Sequence, residues 1–160
     1  MRAIPTSTLA LMLACACAGP QAAESKPAAR DPQLARAAAR LVDSPPADWP
    51  EAVDALSARG AAPAAVAEAL LSALLARPDG RGAICAFAVL GETRTQAASD
   101  FLCDTVAEGG ERGREAALAL GRCGDATVIP ALVAAVDDRG LDAGTRTACG
   151  SCCIAAMARG

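Results

Sequence analysis

Residues 114–138 read REAALALGRCGDATVIPALVAAVDD, and this stretch decides the fold class. Its pattern predicts a helix, a glycine-bearing turn and a second helix. A diverged copy lies about thirty residues upstream, where Leu90-Gly91 stands in the place of Leu120-Gly121. Three more apolar positions recur at this spacing, with Ala98, Leu102 and Val106 matched by Val128, Leu132 and Val136. A period of this length indicates an α-solenoid, in which each unit buries its apolar face against its neighbours.

The composition also favours helices. With 160 residues the chain is long enough for one modest core. Apolar residues make up 53% of it, and the most frequent of them is alanine, the best helix former. Runs of β-branched residues, which favour strands, are missing. We therefore predict an all-α fold, a short α-solenoid of about three and a half repeats with an N-terminal capping helix.

The rare residue types argue against several classes of function. Because the chain has no His, it cannot build a Ser-His-Asp or Cys-His nucleophile or a His-ligated zinc site. One Trp, two Phe and no Tyr give no stacking platform for single-stranded nucleic acid or sugars. The net charge is −3 and no basic stripe occurs. The sequence predicts a protein that is not an enzyme, holds no cofactor or metal and binds no nucleic acid.

The first residues resemble a bacterial export signal. Arg2 precedes an apolar stretch over residues 9–18, which is too short to span a bilayer. The sequence LACAC at 13–17 is similar to a lipobox, whose cysteine is lipidated and becomes the mature amino terminus. We favour Cys17, because cleavage before Cys15 would leave an unusually short signal. Residues 1–16 are then the signal, and residues 17–31 are the lipidated cysteine and a flexible tether.

Two alternatives stay open for this segment. One is ordinary signal-peptidase cleavage after Ala18 or Ala23, and the other is an alanine-rich leader without a targeting role. In both export readings the domain at 32–160 lies outside the cytoplasm, in the periplasm or anchored at the outer membrane. Its contact with the membrane is then through the lipid anchor only.

A capping helix is predicted over residues 32–42. Asp31 stands at its N-cap and Pro32 at its first helical position, where both residue types are favoured. The Ser-Pro-Pro run at 44–46 ends it. The residues expected on its inward face are Leu34, Ala38 and Leu41.

Three helix pairs and one unpaired helix are expected to follow. The predicted pairs are 48–60 with 63–77, 82–90 with 95–106, and 111–122 with 127–137, and the unpaired helix covers 141–159. Their apolar spacing predicts an inward face made of Val53, Leu56, Val66, Leu70, Ala73, Leu74, Ile84, Phe87, Ile129, Leu132, Val133 and Val136. Leu71 and Leu75 form a second stripe that we expect to contact the units on both sides.

The third pair resembles the short HEAT-like repeats first described in phycobilisome lyases. Those repeats open helix A with Arg, carry paired Ala and a Leu-Gly, turn at Gly-Asp, open helix B with Pro or an aliphatic residue, and end on Asp. The matching residues are Arg114, Ala116, Ala117, Leu120, Gly121, Gly124, Asp125, Ile129, Pro130, Leu132 and Asp138. Thr145-Arg146 resembles the start of a further unit, whereas Glu92 replaces the Gly-Asp turn in the second pair. The resemblance implies a stacked helical architecture and does not imply lyase activity.

Asp125 is the acidic residue of that turn. Its carboxylate can accept hydrogen bonds from amides at the start of the following helix and complement the helix dipole. We therefore interpret Asp125 as a helix cap, with contact to a ligand as the alternative.

Six cysteines follow the leader: Cys85, Cys103, Cys123, Cys149, Cys152 and Cys153. An even number in an exported chain is compatible with disulfides, so all six are candidates. Cys149 and Cys152 form a CxxC motif, which could be a redox dithiol, part of a four-sulfur metal site, or core packing. Aligning Arg146 on Arg114 places these cysteines at small apolar positions of the preceding unit, which favours packing. Within that interpretation we expect a disulfide between Cys123 and Cys153.

The leading hypothesis for function is a non-enzymatic scaffold or adaptor of the bacterial cell envelope. Its B helices would present a concave surface to a protein partner of unknown identity. The alternative is an accessory redox or metal-handling protein that uses the C-terminal cysteines.

Overall fold

The structure is a computed structural model that describes residues 31–123 and 126–157. This part of the chain is helical and contains no strand, as the all-α prediction requires. Its eight α-helices are α1 Pro32–Asp43, α2 Trp49–Ser57, α3 Pro63–Ala76, α4 Ala83–Thr93, α5 Gln96–Glu108, α6 Gly110–Cys123, α7 Ile129–Asp137 and α8 Ala143–Met157. Short 3-10 turns at Pro46–Asp48 and Ala126–Val128 lead into α2 and α7.

The helix starts follow local capping chemistry. The Asp31 carboxylate accepts the Gln33 amide hydrogen at 2.9 Å, which confirms the predicted N-cap of α1. The Thr95 hydroxyl caps α5 in the same way by accepting from the Ala98 amide at 3.3 Å. Helices α1, α2, α3 and α7 each carry a proline in their first turn, where the missing amide hydrogen costs nothing.

The helices pack in two rows. Helices α1, α4, α6 and α8 lie side by side in one row, and α3, α5 and α7 lie side by side in the other. Each helix of the second row also packs against the next helix of the first: α3 against α4, α5 against α6, and α7 against α8. The largest fully buried side chains between the rows include Leu41, Leu70, Phe87, Leu102 and Leu132.

The first unit is built differently from the prediction. We expected α2 to be helix A of repeat one and α1 to be a cap. Instead α1 packs against α3 and α4 and takes the first place in its row, while α2 lies mainly against α1. Glycines in the loop before α4 explain this arrangement: the Gly82 amide donates to the Val42 carbonyl at 2.8 Å, and neither Gly80 nor Gly82 has room for a Cβ beside α1.

Two residues predicted on the inward face, Val133 and Ile84, lie elsewhere, and so does Leu75, which was predicted to contact neighbouring units. Leu75 is 72% exposed and Val133 is 41% exposed, so both predictions are wrong. Neighbouring positions on a helix are about 100° apart, and the core takes Leu74 and Leu132 instead. Ile84 is only partly buried and borders a surface groove.

Most of the remaining inward predictions hold. The buried residues among them are Leu34, Ala38, Leu41, Leu56, Leu70, Leu74, Phe87 and Leu132. Val53, Val66, Ala73, Ile129, Val136 and Leu71 are partly buried against the core. The repeated apolar positions Ala98, Leu102, Val106 and Val128 are also buried.

Membrane-spanning helices were searched for within residues 31–123 and 126–157. None of the helices there is both long and apolar enough to cross a bilayer.

Candidate docking surface

The exposed side of the second row, α3, α5 and α7, is called the B face here. Between α5 and α7 this face contains an apolar cavity of about 270 Å³, which we call the α5–α7 groove. Its walls come from two neighbouring helices whose facing residues are small, so the helices leave space between them. The groove is lined by Cys103, Val106, Ala107, Leu120, Ala131, Leu132, Ala134, Ala135, Asp138 and Leu141.

Alanines give the groove its width. Ala107 on α5 and Ala131 and Ala134 on α7 are exposed, whereas Leu120 and Leu132 at the floor are buried. A methyl group is small, so these wall residues leave an open space between the two helices above the buried floor. An exposed apolar concavity of this kind is typical of surfaces that bind another molecule.

The carboxyl ends of α5 and α7 lie at the same end of this groove. The Gly110 amide, just after α5, donates to Asp142 Oδ2 at 2.9 Å, and Asp142 follows α7. The Asp142 carboxylate also accepts the Thr145 amide at 2.9 Å and the Thr145 hydroxyl at 2.6 Å. One carboxylate therefore caps α8 and ties the α5–α6 turn to the α7–α8 turn.

These hydrogen bonds change the acidity of Asp142. The Thr145 hydroxyl, followed by the backbone amides of Thr145, Gly110 and Gly144, lowers the pKa of Asp142 to about 2. The physical cause is that all of these donors stabilise the ionised carboxylate. Asp142 is therefore negatively charged at neutral pH, at the end of the groove.

The groove also lies in a negative field along α5. Burial, and then the charges of Asp100 and Asp104, raise the pKa of the Cys103 thiol at the groove wall. Both aspartates are exposed on α5. Burial and like charges both disfavour the thiolate, so both act in the same direction on Cys103.

A second groove lies on the opposite side of the molecule, between α2, α4 and α6. Its cavity is about 220 Å³ and is bordered by Trp49, Ile84, Cys85, Ala88, Glu115, Leu118, Ala119 and Arg122. Unlike the α5–α7 groove, it contains both an acidic and a basic side chain. Burial raises the pKa of the Cys85 thiol there.

All six cysteines of the described residues are free thiols. The expected bridge between Cys123 and Cys153 is therefore not formed, and Cys85, Cys103, Cys149 and Cys152 form none either. Cys123 lies on the α5 side of α6, where its Sγ is 3.7 Å from the Ser99 Oγ. Cys123, Cys149, Cys152 and Cys153 are buried, in agreement with the packing interpretation.

The CxxC motif lacks the properties of a redox or metal centre. It lies in the interior of α8 and not at its start, where the helix dipole would stabilise a thiolate. Burial, and then the neighbouring Cys152, raise the pKa of Cys149 to about 11. Across residues 31–123 and 126–157, no group of three or more His, Cys, Asp or Glu side chains is arranged to hold a metal ion.

Three predicted site residues lie outside the described part of the chain. They are Cys15 and Cys17, proposed for lipidation, and Asp125, proposed as a helix cap. Sequence reasoning missed two features that the structure supplies, the α5–α7 groove and the Asp142 junction. A signal for the second existed, since Asp142 precedes Thr145 with the spacing of a helix cap.

Comparisons with protein-family models, with curated proteins and with solved structures found no match to this chain.

Proposed function

We propose that this protein is a non-enzymatic, HEAT-like scaffold of the bacterial cell envelope that binds a protein partner through its B face. The observation that carries the proposal is the α5–α7 groove, an apolar cavity bordered by exposed alanines. The two packed rows of helices support the solenoid part of the proposal. The envelope location and the lipid anchor rest on the sequence pattern of residues 1–31.

The resemblance to HEAT-like repeats is consistent with a binding role. Stacked helical units present extended surfaces, and such surfaces bind partners through many weak contacts and a few buried anchors. The raised pKa of Cys103, the cysteine that lines the groove, argues for a thiol that remains protonated and is therefore a poor nucleophile.

Filling the groove tests this function. Ala134→Trp places an indole where the cavity opens, and because Ala134 is exposed the change leaves the core intact. Tagged chain is purified from detergent-solubilised envelope, and co-purifying proteins are quantified by mass spectrometry. We expect one envelope protein to be lost with Ala134→Trp and retained with Ala35→Trp, a matched change on the exposed side of α1. Equal recovery with both variants would contradict the proposal.

A further inference from the structure

The two helices that form the α5–α7 groove both end on acidic residues. Their last turns carry Glu108 on α5 and Asp137 on α7, followed by Asp138, and neither last turn contains a basic residue. Helix carboxyl ends bear partial negative charge, so acidic side chains there are unfavourable and basic ones are favourable. Helices α1 and α6 carry a basic residue in their last turns, Arg40 and Arg122, although α1 also ends on Asp43.

These two negative ends are next to each other in space. A Cβ on Gly109, the C-cap of α5, would lie 3.1 Å from Leu141 Cδ2, and the Asp142 carboxylate bonds to the Gly110 amide. The carboxyl ends of both helices therefore lie at one end of the groove, which Asp138 lines. Within the described residues, neither Glu108 nor Asp137 has an ion-pair partner. The nearest cation along the chain is Arg112 for Glu108 and Arg139 for Asp137.

The chemistry of the groove thus has two parts. Its middle is apolar and wide enough for a branched aliphatic side chain. Its charged lining residue is acidic, Asp138, and Asp142 lies beside the same two helix carboxyl ends. Asp100 and Asp104, exposed on α5, add negative charge near Cys103. Acidic side chains at helix carboxyl ends are locally unfavourable, and natural sequences usually keep such unfavourable features only at functional sites.

We propose that the α5–α7 groove binds a basic amphipathic helix of the partner protein, with a Leu-sized side chain in the cavity and Lys or Arg at its acidic end. This inference rests on the proposed scaffold function and names the chemistry of the partner. A helix laid in a groove between two helices presents anchors at one-turn spacing, which allows one apolar and one basic anchor on the same face. The partner cations would complement both the carboxylates and the exposed helix ends.

Two cysteines of the same chain, one in each groove, allow peptide binding to be measured against an internal control. Cys103 lines the α5–α7 groove and Cys85 lines the groove on the opposite side. Both are half-buried free thiols whose pKa is raised by burial. A helix bound in the α5–α7 groove should slow alkylation of Cys103 and leave the rate at Cys85 unchanged.

The probe is a synthetic amphipathic helix of Leu and Lys, compared with the same peptide carrying Glu for Lys. With the purified full chain we expect the Lys peptide to bind at least about tenfold more tightly, and its affinity to fall with added salt. Alkylation rates at Cys103 and Cys85 are read by peptide mass mapping with and without peptide. Equal binding of the two peptides, or protection of Cys85 as strong as that of Cys103, would overturn the inference.

Variants separate this inference from the scaffold proposal. Glu108→Gln with Asp138→Asn should weaken Lys-peptide binding about fivefold, the scale of two solvent-exposed ion pairs. The control Asp48→Asn with Asp54→Asn makes the same change in net charge just before α2 and on it, and should leave binding unaltered. Suppose that Ala134→Trp abolishes binding of the native partner but Glu108→Gln with Asp138→Asn does not weaken that binding. The groove is then a docking site, and the basic-helix inference is wrong. If Ala134→Trp leaves the native partner bound, the scaffold proposal itself fails.

Discussion

Gly121 of α6 lies so close to Cys152 of α8 that a Cβ on Gly121 would sit 2.6 Å from the Cys152 Sγ. The same feature occurs one unit earlier, where a Cβ on Gly91 would sit 2.5 Å from the Ala119 carbonyl oxygen. These are the glycines of the two Leu-Gly pairs that reveal the repeat in the sequence. Each leucine fills the core, and each glycine allows the next helix of the row to approach.

Gly121→Ala should therefore destabilise the fold. The new methyl group overpacks the α6–α8 contact, and we expect a loss of about 1–3 kcal/mol in the free energy of unfolding. Gly150→Ala is the matched control: its Cβ would meet only Val136 Cγ2 at 3.9 Å, so helix propensity should make it neutral or stabilising by up to about 1 kcal/mol. Urea denaturation of both variants measures the difference. Equal stability of the two would show that α6 and α8 are farther apart than described.

A core substitution tests the rotation of α7. Leu132 is fully buried, so Leu132→Ala should cost about 2–5 kcal/mol. Val133 is 41% exposed, and Val133→Ala should change stability by less than about 0.5 kcal/mol. Thermal melts followed by circular dichroism give both values. If Val133→Ala lost more stability than Leu132→Ala, Val133 would be the inward residue, as its apolar spacing in the sequence predicts.

Acid should reduce the stability that Asp142 gives to the fold by joining the α5–α6 and α7–α8 turns. The pKa of this carboxyl is lowered to about 2 from an ordinary value of 3.8, so its ionised form stabilises the folded state. That contribution is fully present above about pH 4 and is lost as pH falls toward 2. Asp142→Asn should flatten this part of the stability–pH curve, because the amide does not titrate. Denaturation midpoints from pH 7 to pH 2 measure it, and parallel curves for the two proteins would refute the account of Asp142.

The lipid anchor is a prediction from sequence that the described residues do not reach. Two or more acyl chains hold a protein on a membrane where a single chain does not. Changing both Cys15→Ser and Cys17→Ser should release the chain from the membrane fraction in soluble form. Fractionation with labelled palmitate measures this. A wild-type chain that is soluble and carries no label would exclude lipidation.

The helices could be predicted from the sequence because local chemistry sets their ends. Asp31, Thr95 and the first-turn prolines act within a few residues of themselves, so their roles need no knowledge of the fold. The burial of Phe87 and Leu132 likewise follows from the apolar spacing. For these features the local pattern and the packed structure agree.

The first unit and the groove could not be predicted in the same way. Whether α1 or α2 joins the row depends on the contact between Gly82 and Val42, which are forty residues apart. The groove depends on the distance between α5 and α7, and Ala131 and Ala134 look like ordinary helix-forming residues in the sequence. The meeting of two helix ends at Asp142 is also a property of the stack and not of either helix.

The central claim is that the B face binds a partner at the α5–α7 groove. The most direct measurement is photo-crosslinking in the intact envelope, with a photoreactive amino acid placed at Ala134 and, in a second protein, at Ala35. Both positions are exposed, so yield depends on what lies beside them. The account predicts one discrete adduct from Ala134, absent from Ala35 and suppressed by the Glu108→Gln, Asp138→Asn background. The same adducts at equal yield from both positions, or none from Ala134, would contradict it.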